Sequence, residues 1–155
     1  MDDPSFTIHI SNSDSSSLYG ENTPHSFRVE LPYPVRLPGL WVCSVEGIYA
    51  NSTELGDINA PTCLHAVLDF VRPSIAYGRE IRIGATFPYE EKTGNIFFIP
   101  STEFSVKVDR KLLHTIKVDI MTDRLSSFEN LSGNTILVLK FKSLPAQIPI
   151  QWGPK

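Results

Sequence analysis

Ser26 to Ala50 reads SFRVELPYPVRLPGLWVCSVEGIYA. Its first part alternates, with Phe27, Val29 and Leu31 on one side and Ser26, Arg28 and Glu30 on the other. That is the period of a half-buried strand. Pro32, Pro34 and Pro38 follow. Proline has no N–H to give to a ladder, so PYPVRLPG reads as an edge or a corner that stiffens the passage between two sheets. LWVCSVEGIY is apolar on both faces at its start, as expected of a strand inside a sheet. Two strands joined by a rigid corner, with no catalytic motif after them, read as part of a scaffold.

The same pattern extends in both directions. FTIHI alternates Phe6, Ile8 and Ile10 against Thr7 and His9, and the segment 11–25, rich in Ser, Asn and Asp, reads as loop. CLHAVLDFV, REIRIG, NIFFI and FSVKVD are strand candidates, the last three separated by ATFPYEEKTG and PSTE. HTIKVDIM turns Ile116, Val118 and Ile120 inward, RLSSFENLSGN has room for one helical turn, and TILVLKFK is the last clear strand. A Pro-rich arm, 143–155, closes the sequence. About eight strands with connections of unequal length predict an all-β fold: an antiparallel β-sandwich, a single jelly roll spanning 1–155. An immunoglobulin-type sandwich fits less well, because Cys43 and Cys63 are only 20 positions apart and Trp41 precedes both.

With 155 residues, 41% hydrophobic and 20% charged, the chain has the length and composition of one globular domain with its own core. The formal net charge is −3, and Asp2, Asp3, Asp14 and Glu21 precede Arg28, before which no Lys or Arg occurs. Nucleic-acid binding rests on phosphate neutralisation by Lys and Arg, so no direct nucleic-acid contact is expected. No window has the apolar length of a membrane span, and MDDPSFTIHI lacks the basic and apolar regions of a signal peptide. Cys43 and Cys63 accordingly read as buried free thiols, and the sequons at Asn51 and Asn130 as chance occurrences.

No local pattern of chemistry emerges. His9, His25, His65 and His114 lie far apart in sequence, no His-X-His occurs, and no Gly-X-Ser-X-Gly is present. Asp119, Asp123 and Glu129 are a carboxylate group of the kind that serves acid–base chemistry or calcium; the plainer reading is a polar strand face ending in a turn. No metal or cofactor is expected. Trp41, Phe27, Phe70, Phe98, Phe104 and Phe141 fall at strand positions and read as core. Tyr33, Tyr77, Phe87 and Tyr89 fall in or next to loops, and Ile148, Ile150 and Trp152 lie in the C-terminal arm. These seven are the expected oligomer or arm contacts. Two other classes stay open: a glycan- or peptide-binding sandwich, and a metal-dependent jelly-roll enzyme.

The stretch SNSDSSSLYGENTPHSFRVELPYPVRLPGLWVCSVEGIYANS is similar to the N-terminal region of the minor capsid (penton) proteins of polintons, also called Mavericks, and of their adintovirus relatives. The features that carry the resemblance are Asn22-Thr23, the strand Phe27-Val29-Leu31, then Pro34, Leu37, Gly39, Trp41 and Glu46. IKVDIMTDRLSSFENLSGNTILVLKFK resembles the same family more distantly. The resemblance implies a single jelly roll in the virion, assembled as a pentamer at the vertices of an icosahedral shell. It implies a major capsid protein as partner and no catalytic residues.

Overall fold

The computed structural model of the chain describes residues 4–52, 61–89, 94–100 and 103–145. Among these the regular structure is entirely β, in eleven strands: β1 Ser5–Ser11, β2 Ser26–Arg36, β3 Leu40–Ser52, β4 Cys63–Leu68, β5 Ser74–Ala76, β6 Arg79–Ile81, β7 Ile83–Pro88, β8 Gly94–Phe98, β9 Ser105–Lys107, β10 Leu112–Thr122 and β11 Leu131–Leu144. One sheet has the order β1-β11-β3-β8, with β9 also on β3; the other has the order β2-β10-β4-β7. All pairings are antiparallel, and β5 and β6 form a separate hairpin. The pairings nest. β1 pairs with β11, β2 with β10, β3 with β8 and β9, and β4 with β7. The long strands thus match from the two ends of the chain inward.

The molecule is an antiparallel β-sandwich, because the inner faces of the two sheets share one core. Phe27, Val29 and Leu31 of β2 and Ile116, Val118 and Ile120 of β10 are buried with Leu137, Leu139 and Phe141 of β11. Phe141 lies 5.0 Å from the Phe6 ring, stacked on it, and 5.4 Å from Phe70. Each such side chain contributes about 1.5–3 kcal/mol by leaving water. Two flanks close the sandwich. On one, β1 lies beside β2; on the other, β8 and β9 lie opposite β7, with Phe87 and Phe98 stacked at 5.5 Å.

PYPVRLPG is both an edge and a corner, because β2 is the edge strand of its sheet. β2 runs on through Pro32 and Pro34, where a missing donor costs nothing, and the chain changes sheets at 37–39, with Gly39 at φ +83°. ATFP is not loop: Ala85 and Phe87 alternate inward from β7, and Phe87 is 1% exposed. RLSSFENLSGN holds no helical turn. Thr122 and Ser126 close a tight turn by a backbone bond of 2.8 Å, with Leu125 at φ +58°. Phe104 is not core but 65% exposed: it is in phase with Val106 but precedes β9, which begins at Ser105.

Candidate functional site

Surface chemistry concentrates at the strand edges and at one cluster on an outer face. The edge of β2 is sealed by side chains of the 11–25 loop. The Asn22 side-chain amide donates to the Arg28 carbonyl at 2.9 Å, and its oxygen accepts the Arg28 N–H at 2.9 Å. Ser15 Oγ accepts the Glu30 N–H at 3.0 Å and faces the Glu30 carbonyl at 3.4 Å. These side chains occupy the places another strand would take.

β1, the edge of the other sheet, is left open. Its register with β11 runs from Ser5 opposite Lys142 to Ser11 opposite Ile136. The Ser143 N–H donates to the Pro4 carbonyl at 2.9 Å. In an antiparallel ladder bonded pairs alternate, so Phe6, Ile8 and Ile10 bond to β11 while Ser5, Thr7, His9 and Ser11 face away. Asp14 covers Ser11: its carboxylate accepts the Ser11 N–H at 2.9 Å, and its own N–H donates to the Ser11 carbonyl at 3.1 Å. The backbone groups of Ser5, Thr7 and His9 have no partner on that side among the described residues.

The opposite flank is apolar. β8 pairs with Ile48–Ser52 of β3, and β9 with Val42–Ser44, so Val45, Glu46 and Gly47 have no strand beside them there among the described residues. The gap opens a cleft of about 430 Å³ lined by Val45, Ala85, Phe98, Ile99 and Phe104. A second cleft of about 410 Å³ shares Phe104 and adds Ile83, Val106, Arg72 and Lys107. Phe97 and Ile99 are exposed beside them.

The cluster lies on the outer face of the β2-β10-β4-β7 sheet. Leu64, Ala66 and Leu68 point into the core, so Cys63 and His65 point outward. His65 is nonetheless only 4% exposed, because the β5–β6 hairpin lays Tyr77 over it. Tyr77 and Gly78 form a two-residue turn with φ +53° and +73°, the geometry of a type I′ hairpin. His65 Nδ1 lies 2.7 Å from Thr86 Oγ1, and Nε2 lies 3.1 Å from the Tyr77 hydroxyl and 3.9 Å from Cys63 Sγ. Burial lowers the His65 pKa below its ordinary value, and the charge of Asp123 works the other way. The Tyr77 pKa is raised, first by desolvation, then by Cys63 and Asp123. A neutral imidazole has one donor and one acceptor nitrogen. Thr86 and Tyr77 each carry a hydroxyl that can donate or accept, so either neutral tautomer of His65 is satisfied on both sides of the ring. The set holds a hairpin in place.

The residues expected at contacts divide. Tyr33, on β2, is 69% exposed, and Tyr77 is exposed at its hairpin tip. Phe87 is core, and Tyr89 packs edge-on against Phe128 at 5.3 Å. Ile148, Ile150 and Trp152 lie outside the described residues. Cys43 and Cys63 are free thiols, Cys43 buried and Cys63 partly so, and burial pushes the Cys43 thiol up. The carboxylates do not gather: Asp119 accepts the Ser26 hydroxyl at 2.6 Å, and no group of three or more metal-ligating side chains occurs among the described residues. Sequence reasoning missed Phe97, Ile99 and Phe104 as surface. The only signal was that apolar positions run on through FFI, past the alternation that one buried face requires. No helix among the described residues is long and apolar enough to cross a membrane.

No protein-family model matches this chain, and no curated protein sequence matches it.

Proposed function

We propose that the protein is a structural subunit that assembles with copies of itself, a single jelly roll forming the pentameric vertex component of an icosahedral capsid. The observation that carries the reading is the apolar surface on both flanks. Phe97, Ile99 and Phe104 stand exposed beside β8 and β9, and Leu18 and Tyr33 stand exposed on the β2 side. A ring needs a heterologous interface, one patch meeting a different patch on the next copy, and two unlike apolar flanks provide that. The nested pairing of the long strands supports the jelly-roll reading. The resemblance to polinton penton proteins points the same way, and with it a virion location and a major capsid protein as neighbour. Light scattering on the purified chain tests the reading. It expects closed oligomers of the 17.3 kDa chain, and a monomer at every concentration sinks it.

The cleft of about 430 Å³ beside Phe98 and Phe104 supports a second reading, a binding module for an apolar or aromatic ligand. A monomer that binds such a probe and loses it in Phe104→Ser would favour that reading.

A further inference from the structure

We propose that the open edge of β1 receives residues 146–152 of a second copy, which add to the sheet as one more strand. This inference rests on the self-assembly reading and names the contact that carries it.

Three observations converge on this edge. First, the two edge strands of that flank are treated differently. Asn22, Ser15 and the prolines blunt β2, whereas the outward N–H and C=O groups of Ser5, Thr7 and His9 of β1 have no partner among the described residues. An unpaired edge of this kind is a template for an extended peptide. Second, the described chain ends beside it. Leu144 pairs with Leu40, and Ser143 bonds to Pro4, so the chain leaves the sheet one strand from the open edge, at the start of β1. Third, the sequence beyond is AQIPIQW. To pair with its own β1 the chain would have to reverse at once. Pro145 and Pro149 restrict φ and disfavour helix for the residues before them, and no Gly, Asn or Asp occurs before Gly153 to make a turn. The same segment from a neighbouring copy meets this edge without that reversal.

The position of Pro149 fits this role. In an extended segment successive residues turn their backbone groups to opposite sides. Ala146, Ile148, Ile150 and Trp152 share one side, with every donor intact, and Pro149 lies on the other with Gln147 and Gln151. Pairing through the intact side satisfies Thr7 and His9 and leaves the side lacking a donor outward, where it prevents a further strand from adding. Leu18 and Tyr33, exposed on the β2 side of this flank, are apolar surface for Ile148, Ile150 and Trp152 to cover.

The test uses two variants of the full chain and their mixture, sized by light scattering. One ends at Pro145. The other is Thr7→Pro, which removes a donor on the free side and leaves the β1–β11 ladder untouched; His9→Pro serves as its duplicate, and thermal melts establish that each variant is folded. The expectation is that wild type assembles, each variant alone falls to the mass of a single chain, and the mixture forms a two-chain species, since one partner supplies the segment and the other the edge. If wild type assembles and either variant still does, the inference is wrong and self-assembly stands. If both variants are monomeric and their mixture stays so, the segment serves its own copy and the inference is again wrong. A monomeric wild type removes the assembly reading itself.

Discussion

Asn22 grips Arg28 twice, donating to its carbonyl and accepting its N–H, both at 2.9 Å. One primary amide thereby imitates one residue of a neighbouring strand. Asn22→Ala removes both bonds and leaves the edge open. At about 0.5–1.5 kcal/mol per bond, a loss of about 1–3 kcal/mol is expected in urea unfolding. Asn22→Asp keeps the acceptor but not the donor, and falls between wild type and the alanine variant. Equal stability of all three would mean that the cap is decorative.

His65 makes stability depend on pH. Burial lowers its folded-state pKa below the ordinary histidine value of 6.5, so the unfolded chain takes up the proton first as pH falls. Its contribution is therefore full above 6.5, declines as pH drops below that value, and levels off beneath the folded pKa. Denaturation midpoints from about pH 7 to about pH 5 should slope downward in wild type, and less steeply in His65→Gln. Identical slopes would show that the ring is accessible to protons despite Tyr77.

Gly84 has no room for a methyl group. A Cβ there would stand 2.3 Å from Leu68 Cδ1 and 2.7 Å from Cγ, and Leu68 is itself buried. Gly84→Ala should cost about 1–3 kcal/mol by overpacking. Gly20→Ala meets nothing within 4 Å and should leave the melting temperature unchanged.

Thr135 is fully buried, and its hydroxyl has no partner among the described residues, although its N–H reaches Asn12 Oδ1 at 2.8 Å. Thr135→Val keeps the shape and the backbone bond while removing the orphan oxygen. A gain of about 1–3 kcal/mol is expected. A loss would reveal a partner for the hydroxyl.

Phe104 separates assembly from stability. Being 65% exposed, it contributes little to the core, so Phe104→Asp should melt within about 0.5 kcal/mol of wild type. On the assembly reading, the same variant should dissociate at concentrations where wild type stays associated. Unchanged association would remove the β8–β9 flank from the interface.

The sandwich was legible because its strands bury one face each. Phe27, Val29 and Leu31, or Ile116, Val118 and Ile120, are read correctly from alternation alone. Where that rule loses force, the reading fails. Gly84 and the proline at 88 made β7 look like loop, although Phe87 needed only the neighbouring Phe98 to become core. Phe104 has the composition of a core residue and the position of a surface one, a distinction set by where β9 begins. The His65 cluster was invisible in sequence, since Cys63 and His65 are ordinary strand residues until a hairpin twelve positions on covers them. The edge caps were equally hidden. Asn22 stood out in the sequence, but its partner depended on how a loop returns along β2.

Ser5 lies opposite Lys142, so the sheet containing β1 cannot close until the chain has been synthesised through β11. During synthesis β3 waits for β11 while its apolar faces are unshielded. Loop closure over such a span is slow, and nascent chains in that condition are exposed to aggregation. Coexpression with chaperones should therefore raise the yield of folded protein.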